Sequence, residues 1–278
     1  AAAVAELLVA CEVYRAYDTR RDREVALKLL PTALSDDPEY QRRFQRESYA
    51  VARLREPHVI PIHDYGEIDG RLFIDMRLVD GPNLGTLISR GGPLAPERSV
   101  SLISQVAEAL DAAHADGVVH RHVKPSNVLV TANDFVYVVD FGIAHAVGHT
   151  RSKLTMTGAT IGTLDYMAPE RFESHPVDPR TDVYSLACVL FECLTAEKPF
   201  LGDDLPALMY AHLYTAPRRV SAVNPAVGTG LDDVAALEVG GHFEVAAAKL
   251  GVVFRGLDHL LLHGQADLAP LVDEPHAQ

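Results

Sequence analysis

The run "TDVYSLACVLFECLTAEKPF", residues 181 to 200, constrains the fold more than any other stretch. Read as a helix it is apolar on most faces, and such a helix is stable only when other elements surround it on nearly every side. The chain must therefore build a helical shell around this segment, and the Lys-Pro pair at 198–199 ends it. Cys188 and Cys193 fall inside the run and read as core residues. With 278 residues, 48% of them hydrophobic, the chain is long enough to supply that shell.

The earlier part of the chain follows a different period. "EVYRAYD" and "EVALKLL" read as two strands joined by the charged turn "TRRDR". "DPEYQRRFQRESYAVARLRE" then places Tyr40, Phe44, Val51 and Leu54 at helical spacing among charges, the pattern of an amphipathic surface helix. Two further strand-like runs, "VIPIHDYGEI" and "RLFIDMRLV", are separated by an Asp-Gly turn. From Gly81 onward "ERSVSLISQVAEALDAAHADG" carries a long apolar stripe and a glycine stop, and the short strands "NVLVT" and "VYVVD" interrupt the helices. The order predicts an α+β, bilobal protein: a small strand-rich lobe over residues 1–78, a larger helical lobe over 79–237, and a C-terminal segment over 238–278.

Charge and composition narrow the partners. Twenty-five Lys and Arg against 38 Asp and Glu give a formal charge of -13, which argues against nucleic acid or an anionic membrane as the main partner. Three cysteines are too few for a disulfide framework, and a reducing cytosol suits them. No run reaches about 18 uninterrupted apolar residues, because Lys249, Arg255 and Asp258 break the most apolar C-terminal part. The expectation is a cytoplasmic protein with no membrane segment in this chain; its oligomeric state is not readable.

Several motifs occur in one fixed order: "VALK" at 25–28, "HRHVKPSN" at 120–127, "DFG" at 140–142, "GTLDYMAPE" at 162–170 and the apolar helix already described. Any one is weak; together, from about Glu12 to Leu237, they resemble a bacterial, eukaryotic-like serine/threonine protein kinase domain. That resemblance implies a bilobal kinase-like fold, ATP and Mg²⁺ as cofactors, and a protein substrate or binding partner. It places Lys28 on the α- and β-phosphates with Glu47 as its ion-pair partner, Asn127 and Asp140 on the metal, and Lys124 on the γ-phosphate. Val13, Ala26 and Leu129 would enclose the purine, Met76 would stand as gatekeeper, and Arg77 to Gly81, with Val79 among them, would meet the adenine edge. Thr155 and Thr157 occupy the usual place of regulatory phosphorylation, Arg121 would receive such a phosphate, and Thr163 would meet the substrate hydroxyl.

Three departures from that pattern bear on activity. His122 stands where the family has the aspartate that takes or orients the hydroxyl proton, and loss of such a base costs roughly 10² to 10⁴ in rate. The glycine-rich loop would need glycines at positions 6, 8 and 11, where the chain has Glu6, Leu8 and Cys11. After "TGLDDVAAL" the sequence "EVGGHFEVAAAKLGVVFRG" lacks the Asp-Pro and nearby Arg that would pair with Glu170. Drift at both ends, or a shifted reading frame, accounts equally for such a pattern.

Two further histidine readings stand beside these. His120 and His122 form an H-x-H pair compatible with a metal hydrolase, although the surrounding motifs favour packing of His120 beside Phe141. His259 and His263 lie four apart with no third ligand in the sequence. Three functions remain open: a kinase-like protein with little or no transfer that binds Mg-nucleotide or a partner, a slow serine/threonine kinase, and a decayed product with no function.

Overall fold

A computed structural model of the chain describes residues 12–142, 164–173 and 175–232. Strands β1 (Glu12–Asp18) and β2 (Arg23–Leu29) form the expected antiparallel hairpin. Asp18 closes its turn, accepting hydrogen bonds from the backbone N–H groups of Arg20 and Arg21 at 3.0 and 3.2 Å. A single helical turn, α1 (Thr32–Ser35), leads into α2 (Pro38–Ala52). Asp37 caps α2, taking the N–H groups of Glu39 and Tyr40, and Pro38 sits at the first helical position, where its missing N–H is harmless. The helix buries Tyr40, Phe44 and Val51, as the spacing predicts, and Ser48 with them; Leu54 falls beyond its end.

Strands β3 (Ile62–Ile68) and β4 (Arg71–Arg77) follow, turned by Asp69 and Gly70, both at positive φ as a two-residue hairpin requires. The four strands order as β1-β2-β4-β3. Beyond the sheet come α3 (Leu84–Gly91) and α4 (Pro96–Ala115), the latter stopped by Gly117 at φ 74°. A small hairpin pairs β5 (Val128–Val130) with β6 (Val136–Val138), and α5 (Pro169–Phe172), α6 (Pro179–Thr195), α7 (Leu205–Tyr214) and α8 (Val220–Val223) complete the helical part.

The α+β, two-lobed architecture agrees with the sequence pattern, and α6 explains why. Every residue from Thr181 to Thr195 except Val183 is buried, so the apolar run is the axis around which the helical lobe packs. The lobes share backbone hydrogen bonds: Val138 N–H donates to His58 at 2.7 Å, and Ile60 N–H donates to Val138 at 3.1 Å. Among the described residues, no helix is long and apolar enough to cross a membrane. The segment 238–278 lies outside the described residues.

Candidate active site

Strand register decides which side chains reach the cleft. Val13 lies opposite Lys28, and Lys28 opposite Ile74; Ala26 lies opposite Met76. Cross-strand partners point to one face and alternate residues share it, so Val13, Ala26, Lys28, Ile74 and Met76 line a single face of the sheet. Lys28, Ile74 and Met76 are buried and Val13 is exposed, so this face runs from a dry inner end to an open edge. At the inner end Lys28 and Met76 border a small apolar cavity with Val51, Ile60, Ile62, Asp140 and Phe141.

The partner of Lys28 differs from the expectation. Its Nζ donates to Asp140 Oδ1 at 2.7 Å rather than pairing with Glu47. Glu47, on α2, instead lies 3.6 Å from the guanidinium of Arg121, and its Oε2 is buried without a hydrogen-bond partner among the described residues. The physical reason is competition among close charges: Asp140 offers Lys28 a nearer carboxylate, and Arg121 rises from the loop below to occupy Glu47. Lys28 lies on the second described strand.

The loop holding the predicted catalytic positions is built on Asp182, near the start of α6. This fully buried carboxylate accepts from the backbone N–H groups of His120 at 2.7 Å and Arg121 at 2.6 Å, and from His114 Nε2 at 2.8 Å. Arg121 stands at φ 70°, a left-handed conformation unfavourable for a side chain that size, and these bonds hold it there. Asp140 is left-handed as well, at φ 64°.

His120 is fully buried against Phe141, with ring centroids 4.6 Å apart. Its Nε2–H donates to the Val139 carbonyl at 2.9 Å, which leaves Nδ1 to accept the N–H of His122 at 3.2 Å. Burial holds its pKa below the ordinary histidine value, with Asp182 opposing, so the ring is neutral. Both nitrogens are occupied, and the paired-histidine metal reading therefore fails at His120.

His122 is half-buried, and its carbonyl accepts from Asn127 Nδ2 at 2.9 Å. That bond fixes the amide of Asn127, directing its nitrogen into the loop and leaving its oxygen as a possible cation ligand. Lys124 is half-buried; burial lowers its pKa, Asp140 pulls it back up, and Lys28 lowers it further. Lys28, Lys124, Asn127 and Asp140 thus supply two ammonium groups and two hard-oxygen donors, a set that fits a magnesium-bound polyphosphate. Leu129 and Val79 are partly buried, and Gly81 passes so close to Val130 that a Cβ on it would lie 2.2 Å from the carbonyl oxygen.

Glu170 accepts from the Thr181 hydroxyl, while its Oε2 is buried without a partner among the described residues. Thr155, Thr157 and Thr163, and the positions of the expected glycine loop, lie outside the described residues. Sequence reasoning missed Asp182 and His114 as the loop's anchors, and Arg171, whose Nη1 donates to the Arg121 carbonyl at 2.6 Å. The signal for Asp182 was available: it is a carboxylate in the first turn of a largely apolar helix.

A β-sheet lobe and a helical lobe, with a strand lysine paired to an aspartate across the cleft between them, define the class. The chain matches the protein kinase domain family over residues 9–224. Serine/threonine-protein kinase PknE of Mycobacterium bovis is 53% identical over 225 residues, covering 81% of this chain and 39% of that protein. PknH of Mycobacterium tuberculosis is 50% identical over 225 residues, covering 81% and 36%. The crystal structure of the Mycobacterium tuberculosis PknI kinase domain superposes with a TM-score of 0.62 at 32% identity, covering 81% of this chain and 80% of that one. The chain belongs to the protein kinase family, and it spans about two fifths of the length of these curated relatives.

Proposed function

We propose that the chain is a serine/threonine-protein-kinase-like protein that retains a Mg–ATP cleft but transfers the γ-phosphate to protein hydroxyls at a strongly reduced rate. The observation that carries this reading is His122, an imidazole at the position from which the family's carboxylate meets the attacking hydroxyl. A neutral imidazole can take a proton, but its ring is bulkier than a carboxylate and reaches the hydroxyl differently, and a cationic one repels the metal. Around it the frame supports binding: Lys28 and Lys124 neutralise phosphate charge, Asp140 and the Asn127 oxygen hold Mg²⁺, and Val13, Ala26, Met76, Val79 and Leu129 receive the purine.

In this reading residues 1–78 and 79–237 are the two lobes, 238–278 is a separate segment, and the protein acts in the cytoplasm on a protein partner. Phosphorylation of Thr155 or Thr157 would draw Arg121 away and free Glu47 for Lys28. The order kept in the loop by Asp182 favours one second reading, a slow but active serine/threonine kinase.

The test uses labelled Mg-ATP and a generic basic substrate, with wild type beside His122→Asp, and a melting curve with and without Mg-ATP. The reading expects a nucleotide-dependent rise in Tm for both proteins and much faster transfer by the variant than by wild type. Equal transfer by both selects the slow kinase. No Tm rise in either overturns the retained cleft.

A further inference from the structure

We propose that Glu56, His58 and Glu108 form a binding site for a divalent transition metal of the Zn²⁺ type, at the junction of the two lobes and remote in role from the nucleotide cleft. One ligand atom from each residue lies within 4.8 Å of the others. Glu56 and His58 come from the loop between α2 and β3, and Glu108 from α4, so the site joins an element of each lobe.

The imidazole is prepared for a metal by its other nitrogen. His58 Nδ1 lies 3.0 Å from the carbonyl oxygen of Val136, and a carbonyl only accepts, so Nδ1 carries the proton. Nε2 is left with its lone pair, facing Glu108 Oε2 at 3.6 Å. A backbone carbonyl on the far nitrogen is the usual device that fixes a ligating histidine in its tautomer and orientation. The ring has little freedom to turn, being buried and stacked on Phe135 with centroids 4.4 Å apart.

Glu56 is also oriented, its Oε1 accepting the N–H of His58 at 3.1 Å, and a carboxylate so held keeps lone pairs for a cation. The loop itself is immobilised by the backbone bonds of His58 and Ile60 to Val138. Two ligands are therefore positioned in advance, and the exposed Glu108 swings onto the metal as the third, with water completing a tetrahedron. One imidazole with two carboxylates suits Zn²⁺ or Co²⁺ better than Mg²⁺ or Ca²⁺, which prefer all-oxygen cages. The consequence of binding is a clamp between the α2–β3 loop and α4, fixing the lobe junction behind the cleft.

The test uses the full chain, stripped with a chelator and free of nucleotide and magnesium, titrated with Zn²⁺ by calorimetry and with Co²⁺ by visible absorption. Because the chain has 13 histidines, the decisive comparison is with variants. Glu108→Gln changes an exposed side chain and leaves the metal-free Tm unaltered; Asp111→Asn, another exposed carboxylate of α4, controls for general negative charge. The proposal expects one Zn²⁺ equivalent bound by wild type and Asp111→Asn, and affinity reduced by more than about tenfold in Glu108→Gln and in Glu56→Gln. It is overturned if wild type binds no Zn²⁺, if Glu108→Gln binds as wild type does, or if Asp111→Asn weakens binding as much as Glu108→Gln.

Discussion

Substituting Asp182 by alanine should loosen the whole loop that carries positions 120 to 127. The carboxylate accepts three hydrogen bonds, from His120 N–H, Arg121 N–H and His114 Nε2, at 2.6 to 2.8 Å. Alanine removes all three and strands two backbone N–H groups in the interior, each costing about 1–3 kcal/mol when left without an acceptor. The strained φ of Arg121 then has nothing to hold it, and relaxation of that turn recovers part of the loss. The net expectation is about 3–5 kcal/mol of destabilisation, or a fall of roughly 10 °C in Tm at about 2–4 °C per kcal/mol for a chain of this size. Asp182→Asn keeps the shape and one acceptor oxygen and should lose about half as much. Urea unfolding followed by circular dichroism measures both. A loss below about 1 kcal/mol for Asp182→Ala would refute the anchoring argument, because it would mean that the loop keeps its conformation without the carboxylate.

Three further outcomes follow from single positions. His212 is fully buried, hydrogen-bonded to Tyr184 at 2.7 Å, and burial pushes its pKa from 6.5 down to about 4. The unfolded chain therefore binds a proton that the folded one refuses between those values, so stability is complete above about pH 6.5 and is lost as pH falls toward 4. Tm should drop over that window, less steeply in His212→Leu, and an equal slope in the two proteins would contradict this assignment. Glu170→Gln should be at least as stable as wild type, since one carboxylate oxygen is buried without a partner among the described residues; a loss above about 2 kcal/mol in urea unfolding would show that a cation from another part of the chain pairs with it. Gly81→Ala forces a Cβ into the Val130 carbonyl and should cost about 1–3 kcal/mol or more, with an unchanged urea midpoint as the contrary result.

The parts of the fold legible in the sequence were those with a strong period. The largely apolar α6, the amphipathic α2 and the Asp-Gly turn before β4 each follow from local pattern, and all three recur in the structure at nearly the expected residues. The α+β class followed from their order. Ion pairing was less legible, because it depends on which of several charges comes closest in three dimensions. Lys28 had two carboxylates available and took Asp140, leaving Glu47 to Arg121, and nothing in the spacing of these residues selects between those arrangements. Asp182 was passed over because its role is to bond backbone N–H groups, which any sequence supplies. The histidines divide the same way: His120 was readable as a packed neighbour of Phe141, whereas the orientation of His58 depends on a carbonyl 78 residues away.

The account rests most heavily on position 122, and a single-turnover rate ratio tests it most directly. Wild type and His122→Asp, each saturated with Mg-ATP and mixed with the same serine-containing peptide, are followed by the appearance of phosphopeptide. Restoring the carboxylate should raise the rate by about 10² to 10⁴. Equal rates in the two proteins would contradict the claim that the imidazole at 122 is what limits transfer.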